Sequence, residues 1–407
     1  MRQKKINSCE VCSNSKLYKI LDLGYHPLCD DLKPIGSKIK NKFYKIAILL
    51  CKKCLTSYQN YIVPKKILFP RSYHYRSRLT KDVLSGMEDL INSYIKKFGS
   101  LDNKLVIDIG CNDGSLLDFF KIKGCKTLGI EPTNAYVDAK KKHKIYNEYL
   151  SIKLTKKIKF LFGFPDVIVF TNVFAHIENL NNVVNSVKEL IGPKTVIIIE
   201  NHYLRSILEK NQFDTFYHEH PRTYSATSFK YIANLLNLKI LDMEFPKRYG
   251  GNIRVFLGPS LILKKKKNLS YLFNKEKSLI KSFTNLKINI NLWKKNKKKY
   301  FSNLVEKFGP LTAKAFPGRA AILIKLLDIT KKTIKCVYEK PGSPKIGNYV
   351  PGTSIPIISD RVLFKLKNDK QPIINLSWHI SQEIKKYLLS NNINNKIIDI
   401  VSPKDFK

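Results

Sequence analysis

Short apolar runs alternate with stretches of helical periodicity in the middle of the chain. Leu105–Gly110 is an apolar run of strand length, and Ser115–Lys121 has the spacing of an amphipathic helix. Because strands alternate with helices, we predict a parallel α/β sheet that binds its ligand at the carboxyl ends of the strands. Further strands of this sheet are predicted at Thr127–Ile130, Asp166–Phe170 and Thr195–Ile199.

The flanking sequence predicts additional domains. Arg78–Phe98 reads as a helix that leads into the α/β core, and the polar, periodic stretch Ser260–Lys307 reads as a long helix. A chain of 407 residues is expected to form more than one domain. We therefore predict domains at residues 1–75, 76–250 and 251–407. Strands of the last domain are predicted near Lys335–Tyr338, Arg361–Phe364, Ile373–Leu376 and Lys396–Val401.

Composition places the chain among globular proteins, since 43% of its residues are hydrophobic and 11% are aromatic. Its formal charge of +41 arises mostly from lysines scattered along the chain, with dense runs only at Lys264–Lys267 and Lys294–Lys299. Without an arginine-rich recognition helix, we expect no nucleic acid partner. No apolar stretch follows Met1 and the apolar windows are too short for a bilayer, so we expect a cytoplasmic protein without a membrane partner.

Four of the eight cysteines form two C-x-x-C pairs, Cys9/Cys12 and Cys51/Cys54. Two such pairs supply the four thiolates of a closed tetrahedral zinc site, whereas a redox motif needs only one pair at the start of a helix. We therefore predict structural Zn²⁺ that stabilises the N-terminal module. The other cysteines lack this spacing and are expected to be small buried side chains.

The turn after the first strand predicts a nucleoside site. Gly110 and Gly114 allow a close approach of the backbone to a ligand, and Glu131 follows the second strand, where an acidic side chain can bind a ribose diol. The turn lacks G-x-G-x-x-G and a phosphate-loop Lys-Ser/Thr, which disfavours NAD, FAD and ATP and favours S-adenosylmethionine. The predicted cofactor-binding residues are Asp108, Gly110, Asn112, Asp113, Gly114, Glu131, Pro132, Thr171, Asn172 and Val173.

A dense group of ionisable side chains follows the fourth strand, in the segment Tyr217-His218-Glu219-His220. His202 and His176 lie near the ends of the fourth and third strands. A single histidine is usually a structural hydrogen-bonding group, but a group of histidines beside a cofactor site indicates catalysis. Metal binding by H-x-H is an alternative without an evident third ligand.

Several motifs together resemble the nucleotide-linked deoxysugar C-methyltransferases. The resemblance extends from about Cys9 to about Ile384. It implies a Rossmann-like class I methyltransferase core, a small N-terminal zinc-binding module and a C-terminal Rossmann-like α/β domain. Its motifs, in chain order, are the two C-x-x-C pairs, Asp108–Gly114, Gly129–Pro132, Tyr217–His220, Gly250–Arg254 and Pro351–Ile357.

The resemblance also implies a substrate and residue roles. The substrate would be a nucleotide-linked 4-keto sugar that is deprotonated at C3 to an enolate, which is then methylated on carbon. His220 would be the general base, Tyr217 would donate a hydrogen bond to the enolate oxygen, and Glu219 would lie beside them. His176 and either Tyr73 or Tyr75 would complete the pocket.

The chain departs from the family pattern at two places. Pro221-Arg222-Thr223 stands where the family has aromatic and small residues, and Ala313–Arg319 replaces a glycine-rich turn. Two alternative functions follow. One is methyl transfer to another small-molecule acceptor, and the other is a non-catalytic zinc-ribbon interaction protein.

Overall fold

The computed structural model describes residues 3–71, 73, 75–262, 268–365 and 370–406. These residues form two compact units. The first unit comprises Met1–Tyr18, Leu49–Glu209 and Glu219–Ile280, and the second comprises Lys19–Ile48, Lys210–His218 and Lys281–Lys407. The three consecutive domains expected from the sequence stay a prediction.

Strands and helices are numbered along the chain. The strands are β1 (Lys4–Lys5), β2 (Tyr18–Pro27), β3 (Lys33–Pro34), β4 (Phe43–Leu50), β5 (Ser57–Gln59), β6 (Tyr61–Ile62), β7 (Leu105–Ile109), β8 (Lys126–Ile130), β9 (Lys144–Tyr146), β10 (Val167–Thr171), β11 (Val196–His202), β12 (Arg222–Thr223), β13 (Lys239–Glu244), β14 (Asn252–Gly258), β15 (Leu311–Lys314), β16 (Ile334–Glu339), β17 (Asn348–Tyr349), β18 (Ile357–Ser359), β19 (Ile373–Asn375) and β20 (Ile397–Asp399). The helices are α1 (Lys65–Leu68), α2 (Lys81–Phe98), α3 (Ser115–Ile122), α4 (Tyr136–Ala139), α5 (Ile152–Phe162), α6 (Leu180–Lys188), α7 (Leu204–Glu209), α8 (Ala226–Leu235), α9 (Ser270–Glu276), α10 (Leu279–Phe308), α11 (Ala320–Leu326), α12 (Arg361–Lys365) and α13 (Ser381–Leu389).

Seven strands form the central sheet of the first unit, in the order β13-β14-β11-β10-β7-β8-β9. Strand β7 lies parallel to β8 and to β10, whereas β14 is antiparallel to its neighbours β11 and β13. The chain thus moves from β7 to one side of the sheet and later to the other. A crevice at the carboxyl ends of the strands is expected at such a switch point.

Both faces of this sheet are covered by helices, which is why its central strands β7, β10 and β11 are mostly apolar. Val106 packs on one face with helix α2, and Ile107 packs on the other face with helices α5, α6 and α8. Neither Val106 nor Ile107 is exposed to solvent. The Rossmann-like α/β core predicted from the sequence is confirmed.

The second unit contains a smaller, fully parallel sheet in the order β18-β16-β15-β19-β20. Helix α13 packs on it through Ile384 and Leu388, which share a buried cluster with Tyr338 and Ile373. The predicted C-terminal Rossmann-like α/β fold is confirmed. The 30-residue helix α10 occupies much of the stretch expected to be a long helix.

The strand predicted at Arg361–Phe364 is wrong, because these residues belong to helix α12. The neighbouring strand is β18, which ends at Ser359. In α12 only Leu363 is buried, so the segment does not have the two-sided burial of a strand in a parallel sheet. An apolar run of this length does not distinguish the two structures by its periodicity.

The two lysine runs have different outcomes. Lys264–Lys267 lie outside the described residues, whereas Lys294–Lys299 lie within α10. Lys297 is buried, and its Nζ lies 2.8 Å from a carboxylate oxygen of Asp405. Across the described part of the chain, every helix is too short or too polar to cross a bilayer.

Candidate active site and metal centre

The two C-x-x-C pairs form two knuckles with matching backbone geometry. The Ser13 amide donates to the Cys9 carbonyl, and the Leu55 amide donates to the Cys51 carbonyl. Ser13 and Leu55, which follow the second cysteine of each pair, both have a positive φ, of 57° and 56°. Each knuckle therefore turns its two sulfurs toward the same side.

The four thiol sulfurs meet at one point, with all ligand atoms within 4.8 Å of one another. The Sγ atoms of Cys9 and Cys54 are 3.4 Å apart, and those of Cys12 and Cys51 are 3.5 Å apart. Tetrahedral zinc with bonds of about 2.3 Å requires sulfur separations of about 3.8 Å. The donor set and its spacing fit the predicted structural zinc site. Cys29, Cys111, Cys125 and Cys336 are buried elsewhere, as expected.

The turn after β7 has a left-handed backbone conformation that favours glycine. Gly110 has φ 76°, and a Cβ atom at this position would lie 2.6 Å from a methyl carbon of Val173. The Gly110 amide donates to the carbonyl of Ile130, which ties the turn to the end of β8. The structure thus brings together predicted cofactor residues from three strand ends.

Glu131 lies directly after β8 and faces this turn. Its Oε2 accepts a hydrogen bond from the Asn112 amide at 2.9 Å, and its Oε1 accepts from the Thr133 amide and hydroxyl. Pro132, between them, is half-buried. A carboxylate has about four acceptor sites, so Glu131 retains capacity for a ribose hydroxyl.

Asp108 is buried at the end of β7. Burial, reinforced by the negative charge of Glu131, raises the pKa of Asp108 to about 8. A carboxyl group that is neutral near pH 7 can donate a hydrogen bond as well as accept one.

Asp113 and Gly114 connect the turn to helix α3. The Asp113 carboxylate accepts hydrogen bonds from the amide and Nε of Arg78 and from the Ser115 hydroxyl. Gly114 has φ 80° and precedes the first residue of α3. The sequence reading missed Arg78 as a partner of this turn, because 35 residues separate Arg78 from Asp113.

The end of β10 forms the opposite wall of the turn. Asn172 has φ 56°, and its amide donates to the carbonyl of Glu200. Val173 contacts the Gly110 position, as described above. The buried hydroxyl of Thr171 has no hydrogen-bond partner among the described residues. An orphaned buried hydroxyl at a strand end can hydrogen-bond to a ligand.

Three imidazole rings, those of His176, His202 and His220, form a group in the first unit. The ring centroid of His220 lies 4.9 Å from that of His176 and 5.3 Å from that of His202. Phe69 stacks on His176 at 5.2 Å, so the group is enclosed by an aromatic ring. Burial, together with His220, lowers the pKa of His176 well below its usual value.

The other predicted catalytic residues are distributed as follows. Glu219 is buried in the first unit beside His220, whereas Tyr217 is half-buried in the second unit. Tyr73 packs edge-on against Phe69, which itself stacks on His176. Tyr75 is 41% exposed, and its carbonyl accepts from the side chain of Asn112. Tyr73 is therefore linked to the histidine group and Tyr75 to the cofactor turn.

His218 is a structural histidine. Its Nε2 lies 3.1 Å from the carbonyl oxygen of Tyr44 within the second unit. Burial lowers the pKa of His218 to about 4. Among the described residues, the group that could hold a metal ion is the four-cysteine cluster.

A buried ionic network supports the end of β11. The Glu200 carboxylate accepts from Arg248, Asn252 and Arg254 at 2.9, 3.0 and 2.7 Å. Arg248 also donates to the carbonyls of Asp82 and Val83 in α2. It fits there because residue 86 is glycine, where a Cβ would lie 1.1 Å from the guanidinium. The motif Gly250–Arg254 therefore has a structural role that its sequence did not reveal.

The segment Ala313–Arg319 lies in the second unit, where its first two residues are the last two of β15. The guanidinium of Arg319 lies 3.1 Å from the buried carboxylate of Asp214, and Trp378 donates to the same carboxylate. The charge of Arg319 is thus balanced within the protein.

Three family models match successive parts of the chain. Residues 9–69 match a family described as "Putative zinc binding domain", residues 81–242 a "Methyltransferase domain", and residues 247–396 a "C-methyltransferase C-terminal domain". The chain has the domain set of the zinc-module C-methyltransferases. Its predicted resemblance to this family is confirmed, and so is the class I methyltransferase fold of its core.

The chain is also similar to an individual protein, at lower sequence identity and over part of its length. The chain is similar to C-methyltransferase NovU of Streptomyces niveus, with 24% identity over 262 residues. This match covers 63% of the chain and 62% of the relative's own length.

Two solved structures are similar to less than half of the chain. The PH0226 protein of Pyrococcus horikoshii OT3 is 15% identical over 48% of this chain and 98% of its own, with a TM-score of 0.37. Magnesium protoporphyrin IX methyltransferase of Synechocystis PCC 6803, with bound S-adenosylmethionine, is 16% identical over 44% and 80%, with a TM-score of 0.34.

Proposed function

We propose that this protein is an S-adenosylmethionine-dependent C-methyltransferase. The observation that carries the proposal is the group of His176, His202 and His220, which lies in the same unit as the glycine turn at the switch point of the sheet. The match to a C-methyltransferase C-terminal domain supports transfer to carbon. The intact turn and histidine group argue against a non-catalytic interaction protein.

The cofactor site is proposed at the carboxyl ends of β7, β8 and β10. Gly110 lets the turn pack against Val173 without overlap, and Glu131, with three of about four acceptor sites occupied, has one left for a ribose hydroxyl. Thr171 offers an unpaired hydroxyl in the same region. Bound S-adenosylmethionine would supply an electrophilic methyl group on a sulfonium ion.

The proposed acceptor is a nucleotide-linked 4-keto deoxysugar. This assignment rests on the motif set that resembles the sugar C-methyltransferases. The anionic nucleotide would be attracted by a chain of net charge +41. Another ketone-bearing small molecule is the alternative acceptor on the same scaffold.

In the proposed reaction, His220 removes the proton from the carbon next to the ketone. The electrons of that C–H bond become the enolate, with negative charge on the former carbonyl oxygen. S-adenosylmethionine would supply the methyl group to the enolate carbon, with the electrons of the methyl–sulfur bond left on sulfur, and the proton on His220 would pass to water. General-base assistance of this kind contributes about 10²–10⁴ in rate. The role of Tyr217 as the oxyanion donor stays a prediction, since Tyr217 belongs to the second unit.

The proposal is tested in two stages. Calorimetry with S-adenosylmethionine measures cofactor binding, and absence of binding at high concentration would exclude both enzyme readings. The protein is then incubated with cofactor and a panel of 4-keto nucleotide-sugars, and products are analysed by mass and by carbon NMR. A methyl group on carbon supports the proposal. A methyl group on oxygen or nitrogen, or binding without transfer to any ketone, contradicts it.

A further inference from the structure

Arg222 is a fully buried arginine two residues after His220. It belongs to strand β12, which pairs antiparallel with β5 of the N-terminal region through the register Arg222↔Tyr58 and Thr223↔Ser57. The Gln59 amide also donates to the carbonyl of Pro221 at 2.9 Å. The backbone that leads away from His220 is therefore fixed to the strand that follows the second zinc knuckle.

In the first unit, the guanidinium of Arg222 contacts one carboxylate and two backbone carbonyls. It is ion-paired with the carboxylate of Glu10, which lies between Cys9 and Cys12 in the first zinc knuckle. It also donates to the carbonyls of Ile177 and Glu178, the latter at 3.2 Å. These two carbonyls immediately follow His176. One side chain thus joins the zinc knuckle, the His176 segment and the His220 segment.

We propose that Arg222 is a positioning residue that holds His176 and His220 in register by anchoring both segments to the zinc knuckle through Glu10. The inference rests on the proposed function, because it assigns a purpose to the geometry of the proposed base. It gives the zinc module a role in the active site, beyond the folding of its own residues.

The chemistry of the guanidinium suits this role. Burying a charge is costly unless a counter-ion and hydrogen-bond acceptors surround it, and Arg222 has one carboxylate and two carbonyls. The N–H donors of the planar guanidinium point in fixed directions, so they orient several acceptors at once. A lysine ammonium carries the same charge but does not orient its acceptors in this way. Removing the guanidinium frees the carbonyls after His176, and displacements near 1 Å reduce catalytic rates by up to about 10²-fold.

The inference is tested with Glu10→Gln, Arg222→Lys and Arg222→Met in the full-length zinc-loaded protein. Arg205→Met is the matched control, since Arg205 forms an ion pair with Glu209 on α7, outside the histidine group. Each variant is measured for zinc content, for S-adenosylmethionine affinity, and for kcat and KM separately. The ring signals of His176 and His220 are also followed by NMR.

We expect Glu10→Gln to retain zinc and cofactor affinity, to lower kcat by roughly 10-fold to 100-fold with little change in KM, and to shift the histidine signals. Arg222→Lys should recover part of the kcat lost in Arg222→Met. A merely structural contact would lower stability without this split between kcat and KM. Normal kcat and unshifted signals in zinc-loaded Glu10→Gln would overturn the inference.

The NMR measurement separates this inference from the proposed function. If the wild-type protein transfers no methyl group, the proposed function fails, but the histidine signals still show whether Glu10 and Arg222 set the ring positions. If Arg222→Met does not fold, Glu10→Gln and Arg222→Lys carry the test. Shifted ring signals in both would support the inference, and unshifted signals would overturn it.

Discussion

The imidazole rings of His176 and His220 lie 4.9 Å apart between centroids and are inclined by 57°. At this distance and in a buried site, protonation of one ring disfavours protonation of the other. The pKa of His176 is lowered by burial and then by His220, so His176 is neutral near pH 7. A neutral neighbour leaves His220 able to accept a single proton from a substrate.

Replacement of His220 tests its assignment as the base. We expect His220→Gln to lower methyl transfer by about 10²–10⁴ while cofactor affinity stays near the wild-type value, because general-base assistance is lost. The sharper measurement is exchange of the substrate C3 proton into deuterated water. His26→Gln is the control, since His26 is a buried histidine whose Nε2 contacts the carbonyl of Leu23. Exchange at the normal rate in His220→Gln would show that another group is the base.

Replacement of Gly110 tests whether the turn after β7 binds the cofactor. Gly163 serves as the control, because its φ angle is nearly the same. Gly110 and Gly163 have φ 76° and 77°, but a Cβ at 110 meets Val173, whereas a Cβ at 163 has nothing within 4 Å. Alanine at either site should cost about 1 kcal/mol of stability for the left-handed backbone, and at position 110 the overlap with Val173 should lower stability further. Only Gly110→Ala should also weaken S-adenosylmethionine binding measured by calorimetry. Equal affinities in the two variants would place the cofactor elsewhere.

Removal of one zinc ligand should unfold the N-terminal module. We expect Cys51→Ser to lose bound zinc and to lower the midpoint of thermal unfolding, because zinc binding and folding are coupled in a closed thiolate site. Cys125→Ser is the control, since Cys125 is buried outside the cluster. Metal content and circular dichroism measure the two effects. A soluble, zinc-free and fully active Cys51→Ser protein is incompatible with structural zinc.

Two buried histidines predict acid sensitivity of the second unit. Burial lowers the pKa of both His26 and His218 from 6.5 to about 4. Between these pH values the unfolded chain binds protons that the folded chain does not, so stability falls as pH decreases from 6.5 to 4. Each histidine contributes a slope of up to about 1.4 kcal/mol per pH unit.

Urea unfolding at pH 7, 6, 5 and 4.5 measures this slope. The variant His218→Gln should lose less stability than the wild-type protein over the same range, because one of the two proton-linked sites is gone. Parallel curves for the two proteins would show that His218 does not take up a proton on unfolding in this window.

The core of the fold could be predicted because its local signals agree. The mostly apolar run at Leu105–Gly110 lies in the middle of a sheet with both faces covered, so its length and the glycine turn after it indicated β7. Strand β15 was not predicted, because a charged residue interrupts its short apolar segment. It contains Lys314, whose charge is buried against Asp360 at 2.7 Å, and a lysine in a short segment suggests an exposed loop.

In the candidate site, motifs within a few residues of one another could be predicted, whereas contacts between distant residues could not. The cysteine knuckles and the glycine turn are defined by spacing within a few residues, which the sequence displays directly. Arg222 was visible as a departure from the family pattern, but its partner Glu10 lies 212 residues away. Its contacts depend on the tertiary fold and could not be derived from one sequence.

The contact between Gly86 and Arg248 has a consequence for how this family varies. The guanidinium of Arg248 occupies the space in which a side chain at position 86 would begin. It is held there by two carbonyls of α2 and by Glu200. Positions 86 and 248 are therefore expected to change together among related sequences. Where a homologue has any residue larger than glycine at 86, a shorter side chain should replace the arginine at 248.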